Sequence, residues 1–214
     1  MYIPEHFCLR HDADAVAFMR ANPFAILIST TDAGPYATHL PFFVREADGN
    51  VVLHGHVAKA NPHWRYLEQQ AQCMTIFHGP HSYISPSNYI ARESVPTWNY
   101  AAVHVYGNAR LFSSLEELHQ MLDELMESFE PAYREQWEDL SSTFRENMLR
   151  QIVGFEISAT KIEGKFKLSQ NRPRQDQGNV IASLGKSDDS TVSGVARMMK
   201  EQGLGRIEVD KKDQ

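Results

Sequence analysis

A lysine and an asparagine lie where a predicted strand gives way to a predicted helix, an arrangement that can bind an anion. The segment is HGHVAKANPHW, residues 54–64, with Lys59 and Asn61 at the junction. The first N–H groups of a helix have no partner within the helix, and the helix dipole favours negative charge there. A phosphate group would therefore fit beside the Lys59 ammonium. A capped helix with a solvated lysine has the same sequence pattern, so this segment alone leaves both interpretations open.

A second polar segment is THLPFF, residues 38–43. Thr38 and His39 could present a hydroxyl and an imidazole to a pocket while Leu40 and Phe42 pack in the core. An ordinary edge strand that contains a proline would show the same pattern. The segment therefore marks a candidate site without excluding a structural role.

A third polar cluster is KFKLSQNRP, near the end of the last predicted strand. Lys165, Lys167 and Arg172 bring three positive charges close to the amides of Gln170 and Asn171. An amide both donates and accepts hydrogen bonds, which suits the edge of a heterocycle such as a pyrimidinedione. A solvated strand end is the alternative interpretation.

The ten histidines raise the question of a metal site. His54 and His56 are two residues apart, so on a strand they face the same way, and His78 and His81 flank a Gly–Pro pair. No acidic residue accompanies them at ligand spacing, and neither His-Glu-x-x-His nor Cys-x-x-Cys occurs. We therefore predict no metal ion, and heme ligation by one histidine remains an outside alternative.

Composition excludes several other classes of protein. The chain has 214 residues, 42% apolar residues and a net charge of −6, so the whole molecule lacks the basic character of most nucleic-acid-binding proteins. No apolar run approaches the ~18–20 residues that span a membrane, and the N-terminus does not resemble a signal peptide. Two cysteines, Cys8 and Cys73, suggest reduced thiols. These features predict a cytoplasmic protein without membrane contact.

Hydrophobic periodicity predicts an antiparallel barrel with peripheral helices. Predicted strands cover residues 24–30, 36–44, 51–56, 73–79, 99–112 and 152–166. Predicted helices cover residues 12–21, 61–70, 114–128, 142–151, 180–184 and 190–201. Strands that follow one another through short turns favour antiparallel pairing over a doubly wound sheet. We predict a barrel over residues 1–172 and, over residues 173–214, a helical extension packed on the barrel with a frayed end.

Six motifs in order resemble one known family. They are MYIP with a following HF, THLPF, HGHVAKANP, HGPHSYISPSNY, VPTWNY with AVHVYG, and KFKLSQNR. The sequence strongly resembles the PaiB-like FMN-binding negative transcriptional regulators over residues 1–171. The resemblance implies a mainly β protein, an FMN-binding split barrel of the pyridoxamine-phosphate oxidase type. It also implies a homodimer with two flavin sites at the interface.

The resemblance further implies a set of flavin-binding residues. The phosphate is expected near Ala58, Lys59 and Asn61, the isoalloxazine ring along Thr38, His39, Leu40 and Pro41, and His56 between them. The partner subunit is expected to contribute from Trp98–Tyr100 or from Lys167, Gln170 and Arg172. One departure is that a single lysine carries most of the charge where related barrels often use arginines. The aromatic and proline-rich residues 78–107 are predicted to form a dimer-contacting wall that covers the flavin.

The sequence leaves three functions open. A flavin-dependent regulatory protein follows from the family, but DNA contact has little support because acidic residues Asp188 and Asp189 precede the last helix. A flavin-dependent oxidoreductase using NAD(P)H is the second, since the flavin supplies redox chemistry. A heme-binding or heme-degrading barrel is the third. Proton donors for the second could be His39, His81, Tyr83 or Tyr100, and the sequence singles out none.

Overall fold

The structure is a computed structural model, and it describes residues 1–47 and 49–206. These residues form two compact units. Unit 1 comprises Met1–Arg10, His78–Ala102 and the described part of residues 163–214, and unit 2 comprises His11–Phe77 and Val103–Ile162. The predicted division at residue 172 stays a prediction, and the predicted fraying of the last seven residues lies outside the described residues.

Seven strands and seven α-helices form the regular structure of the described residues. The strands are β1 (Phe24–Thr31), β2 (Gly34–Pro41), β3 (Phe43–Ala47), β4 (Asn50–Ala58), β5 (Gln72–Ile84), β6 (Thr97–Phe112) and β7 (Ile152–Lys167). The helices are α1 (Asp12–Ala21), α2 (His63–Gln69), α3 (Leu115–Phe129), α4 (Tyr133–Asp139), α5 (Ser142–Leu149), α6 (Arg174–Leu184) and α7 (Ser190–Glu201). The strands form one sheet in the order β2-β1-β5-β6-β7-β4-β3. None of the helices in the described residues has the length and apolar character needed to span a membrane.

The β1–β2 hairpin positions the first polar segment. Leu27 pairs with Thr38 and Phe24 pairs with Pro41 in antiparallel register. The sequence predicts one strand over residues 36–44, but the structure has a break at Phe42. Pro41 has no N–H for the ladder, and the Phe42 N–H donates instead to the carbonyl of Pro23 at 2.9 Å. The Phe42 ring thereby enters the core of unit 2.

The core of unit 2 is aromatic and aliphatic. Phe42 contacts the rings of Phe77 and Phe155, with ring centres 5.7 and 6.0 Å apart. A second apolar cluster lies under α3 and is formed by Phe112, Leu118, Met121 and Leu149. Phe42 directly follows β2, and Phe155 lies on β7, which pairs with β4 as far as Ala58. The candidate site is built on β2, β4 and the turn after β4.

Unit 1 is held by α6 and α7 as well as by its strands. The Asp176 carboxylate of α6 accepts a hydrogen bond from the Ile90 N–H at 2.9 Å, which anchors the loop between β5 and β6. Asp189 is the N-cap of α7 and accepts from the Thr191 N–H at 2.8 Å. Gly203, just after α7, has a φ of 72°. This cap and this end agree with the sequence prediction for the last helix.

Candidate functional site

A network of polar side chains joins β2 to α2 in unit 2. The Asn61 amide donates to Thr38 Oγ1 at 3.3 Å, and Asn61 Oδ1 accepts from the His63 backbone N–H at 3.0 Å. Tyr36 donates its hydroxyl to the same Oδ1 at 3.4 Å. The helix α2 begins at His63 with Pro62 as its N-cap, so the start predicted at residue 61 is two residues early. Asn61 Oδ1 still accepts from the first N–H of the helix, and the Asn61 amide also contacts Thr38.

His63 lies at the centre of this network. Its Nδ1 is 2.7 Å from Thr38 Oγ1, and its Nε2 is 3.0 Å from Ser29 Oγ. The His63 side chain is 0% exposed, and burial lowers its pKa to about 4 because a charged imidazolium would lose its hydration. His63 is therefore a neutral imidazole at physiological pH, and it links Ser29 on β1 to Thr38 on β2.

A tight turn after β4 presents Lys59. The Asn61 N–H donates to the carbonyl of Ala58 at 2.8 Å, and the Lys59 N–H donates to the carbonyl of Gln151 at 2.7 Å. The side chains of Ala58 and Lys59 are exposed. Within the part of the chain that the structure describes, no carboxylate forms an ion pair with Lys59. The turn thus offers a free ammonium group close in sequence to the network.

The other predicted residues of unit 2 have different environments. His39 follows Thr38 on β2 and so points to the opposite face, where it stacks on Phe24 with ring centres 6.3 Å apart. Leu40 is 5% exposed and packs in the core, whereas Pro41 is exposed. His56 is half-buried on β4, and burial lowers its pKa. The structure therefore brings Thr38 and Asn61 into contact, but it leaves His39 on the other face of the hairpin.

Three of the four remaining predicted residues are polar side chains of unit 1. Lys167 donates a hydrogen bond to Thr97 Oγ1, and burial lowers its pKa. The Arg172 guanidinium lies 4.0 Å from the centre of the Tyr89 ring, a cation–π contact. The amide of Gln170 instead bonds to the backbone of its own turn, at Leu168 and Phe166.

Lys167 and Arg172 line a cavity of about 190 Å³ in unit 1. Asn99 lies in its wall at 0% exposure, and its Oδ1 has no hydrogen-bond partner among the described residues. Ser169, which accepts from the Asn99 amide at 2.9 Å, has a φ of 67°, unusual for a residue other than glycine. An unpartnered buried acceptor, a strained residue and two cations together are typical of a ligand-binding pocket.

Trp98, the fourth predicted residue of unit 1, lies on the surface. Its side chain is 53% exposed, and its ring centre lies 6.2 Å from those of both His81 and Tyr83. The exposed rings of β5 and β6 thus form an aromatic surface, in which the Tyr83 ring meets the Trp98 ring edge to face. The sequence indicated these residues as a group, because Tyr and Trp offer broad apolar faces with polar tips.

Sequence reasoning missed several residues of the site. Ser29 lies within the apolar run FAILIST, where a small hydroxyl carries no signal. His63 directly follows Asn61 and Pro62 at the predicted start of α2, and this position next to the predicted anion site is the signal that points to it. Tyr89 and Asn99 lie in the aromatic motifs HGPHSYISPSNY and VPTWNY, where the sequence pattern does not distinguish a contact residue from its neighbours.

Comparison with known proteins identifies a matching family, a similar full-length relative and structures of similar fold. The family model described as "Putative FMN-binding domain" matches residues 1–161. The chain is 38% identical over 205 residues to the protease synthase and sporulation protein PAI 2 of Bacillus subtilis, covering 94% of this chain and 98% of that protein. The flavocytochrome Anf3 of Azotobacter vinelandii is similar in structure, with a TM-score of 0.57, 21% identity, and coverage of 73% of this chain and 68% of Anf3. The FAD and heme binding protein of Mycobacterium smegmatis has a TM-score of 0.57 and 18% identity, with coverage of 75% and 73%.

The antiparallel sheet and its structural neighbours define the class of protein as a split barrel of the flavin-binding type. The chain belongs to the FMN-binding domain family, since the family model covers most of its length and a full-length relative is 38% identical. The predictions of a PaiB-like family, a split-barrel fold and FMN as the cofactor are thereby confirmed. The individual site residues stay predictions.

Proposed function

We propose that this protein is an FMN-dependent regulatory protein that acts as a homodimer with two flavin sites. One subunit supplies the turn that binds the phosphate, with Ala58, Lys59 and Asn61. The same subunit supplies the strand along the isoalloxazine ring, with Thr38, His39, Leu40 and Pro41, and His56 lies between the two. The partner subunit supplies Trp98, Lys167, Gln170 and Arg172. The bound FMN supplies the redox chemistry, and the protein binds and orients it.

The observation that carries this proposal is the unpaired ammonium of Lys59 beside the Thr38–Asn61 network. FMN has a phosphate dianion at one end and a ring with hydrogen-bond acceptors at the other. Lys59 suits the first as a point charge, and the Thr38 hydroxyl, held at 3.3 Å by the Asn61 amide, suits the second. The donor set in unit 2 thus fits FMN.

Exposed apolar residues in unit 1 support the homodimer. Tyr83 near the end of β5, Ile90 and Val95 in the following loop, and Trp98 near the start of β6 are 49%, 70%, 69% and 53% exposed. Of these, Tyr83 and Trp98 are in ring contact, and exposed apolar patches mark interaction sites. A second copy of the chain would cover them and bring its own cations toward the flavin.

An oxidoreductase that uses NAD(P)H is the second candidate. Trp98 with His81 and Tyr83 forms an exposed aromatic surface that includes two groups able to transfer protons. Such a surface favours a stacked substrate. Oxidation of NADH or NADPH by the FMN-loaded protein would support this candidate over a purely regulatory role.

Direct DNA binding has little support in the charge of unit 1. The N-terminus of α7 carries the carboxylate of its N-cap residue Asp189, which would face the phosphates of DNA. Arg197 and Lys200 lie further along the same helix. We therefore assign the regulatory role to the flavin site, and the cytoplasmic location stays part of the proposal.

The experiment that tests the function is titration of the purified protein with FMN, followed by absorbance and by tryptophan fluorescence. A bound flavin spectrum with one FMN per chain supports the proposal. A Soret band after addition of heme, without flavin binding, would instead favour the heme-binding alternative. Absence of saturable FMN binding would contradict the proposal.

A further inference from the structure

In the network around His63, the hydrogen-bond partners determine which group donates and which accepts at each contact. Because burial lowers the pKa of His63 to about 4, the ring is neutral at pH 7. A neutral imidazole donates from one nitrogen and accepts at the other. The two nitrogens face the hydroxyl groups of Ser29 and Thr38, so the tautomer decides which hydroxyl donates to the ring.

Ser29 selects the tautomer. Its side chain is 1% exposed, and within the described chain its Oγ bonds to His63 Nε2 alone, at 3.0 Å. If Nε2 carried the proton, the Ser29 hydroxyl hydrogen would be buried without an acceptor, which costs about 1–3 kcal/mol. The Ser29 hydroxyl therefore donates to Nε2, and the proton of the imidazole is on Nδ1.

The orientation of the Asn61 amide also follows from its hydrogen-bond partners. Its Oδ1 faces the His63 backbone N–H, which can only donate, so Nδ2 faces Thr38. Thr38 Oγ1 thus accepts from Asn61 Nδ2 and from His63 Nδ1. Both lone pairs of the Thr38 hydroxyl are occupied, and its hydrogen has no acceptor among the described residues.

We propose that the Thr38 hydroxyl can donate a hydrogen bond to the bound ligand but cannot accept one from it. Ser29 and His63 are positioning residues that impose this donor role. The inference rests on the proposed function in taking FMN as the ligand. It specifies the chemistry at this point of the site: a ring carbonyl oxygen or an unprotonated ring nitrogen is accepted, and an N–H group is rejected. Thr38 is half-buried on β2, whereas Ser29 and His63 are fully buried, so of the three residues only Thr38 has exposed surface that a ligand could contact.

The direct test is ¹⁵N NMR of the histidine rings in the ligand-free protein at pH 7. We expect His63 to be singly protonated, with the proton on Nδ1. A proton on Nε2, or a doubly protonated ring, would overturn the proposal. This measurement needs no flavin, so it decides the direction of the network even if FMN proves not to be the ligand.

A second test uses FMN affinity with matched variants. Ser29→Ala removes the donor to Nε2, so the Thr38 hydroxyl can turn inward toward His63, and FMN affinity should fall about twofold to tenfold, the value of one hydrogen bond. The control is Thr75→Val, which removes another fully buried hydroxyl, on β5, one without a hydrogen-bond partner among the residues that the structure describes. Its FMN affinity should stay within about twofold of the parent protein. Equal affinities for the parent and Ser29→Ala proteins would overturn the positioning role, whereas no FMN binding by the parent would reject the proposed function alone.

Discussion

The indole nitrogen of Trp64 donates a hydrogen bond to the backbone carbonyl of Lys59 at 3.0 Å. Arg65 lies over the same indole, 5.1 Å from its centre. Trp64 thereby fixes the backbone of the turn after β4 while the Lys59 side chain stays exposed. The turn is held rigid by backbone contacts, and its charge remains available for a ligand.

Lys59→Met should weaken FMN binding without weakening riboflavin binding. The variant keeps the aliphatic stem and removes the charge that we assign to the phosphate. An exposed ion pair contributes at most about 1 kcal/mol, so we expect FMN affinity to fall about fivefold at low salt. Fluorescence titration with both flavins measures the two affinities.

Riboflavin is the internal control for this variant, because it shares the ring and lacks the phosphate. The loss of FMN affinity should shrink as salt is added, since salt screens exposed charges. An equal loss for FMN and riboflavin would contradict the assignment of Lys59 to the phosphate.

Mixed dimers should reveal whether the flavin site is shared between subunits. Lys59→Met and Arg172→Gln each alter one half of the proposed site. In a dimer of one Lys59→Met subunit and one Arg172→Gln subunit, one site carries both changes and the other carries neither. We therefore expect one site of parental FMN affinity per mixed dimer, measured by titration of protein purified through two different tags.

Dimers of each single variant provide the comparison for this experiment, and both of their sites should be weakened. If all sites of the mixed dimer are weakened as well, Lys59 and Arg172 do not belong to different halves of a shared site. A monomer in analytical ultracentrifugation would contradict the homodimer itself.

The protein should lose stability as pH falls from 6.5 toward 4. The pKa of His63 is lowered to about 4, against about 6.5 in an unfolded chain. Between these values the unfolded chain binds a proton that the folded chain does not, so the contribution is fully present above pH 6.5 and is lost as pH falls. For one such group the loss approaches about 3 kcal/mol. Urea unfolding at pH 7, 5.5 and 4.5 measures it.

His63→Gln is the matched variant for the pH dependence. It should be less stable at pH 7, because Thr38 and Ser29 lose a shared partner, but its stability should decline less between pH 6.5 and 4. His54 and His56 also have pKa values lowered mainly by burial, so a smaller decline of the same sign should persist. An unchanged slope in His63→Gln would show that His63 is not the group that titrates.

Two glycine substitutions should change stability in opposite directions. A Cβ on Gly154 would lie 2.3 Å from a ring carbon of Phe112, so Gly154→Ala should lower the free energy of unfolding by about 1–3 kcal/mol. A Cβ on Gly178, inside α6, would meet its nearest atom at 3.8 Å. Gly178→Ala should therefore raise the free energy by about 0.5–1 kcal/mol through helix propensity. Urea unfolding distinguishes them, and a stabilised Gly154→Ala would contradict the close packing.

Local sequence patterns predicted most of the elements well. The helix over residues 12–21 and the capped helix over residues 190–201 were recovered at their boundaries, because caps and apolar periodicity act over a few residues. The sequence analysis does not predict α4, because Trp137 is its only buried side chain. A single apolar residue cannot show the hydrophobic periodicity of a helix. The single strand predicted over residues 36–44 is divided at Phe42, whose side chain turns into the core.

The sequence alone determined the family, the mainly β fold and the residue types of the phosphate turn, because motifs and alternation are properties of neighbouring residues. Tertiary structure decided which of those residues meet. Ser29 and Thr38 lie nine positions apart, and His63 lies 25 positions beyond Thr38, yet one buried imidazole contacts both hydroxyls. The lowered pKa of His63 and the direction of its hydrogen bonds arise from burial and from partners distant in the chain. Neither is encoded in any short segment, so both become visible only once β1, β2 and α2 are packed together.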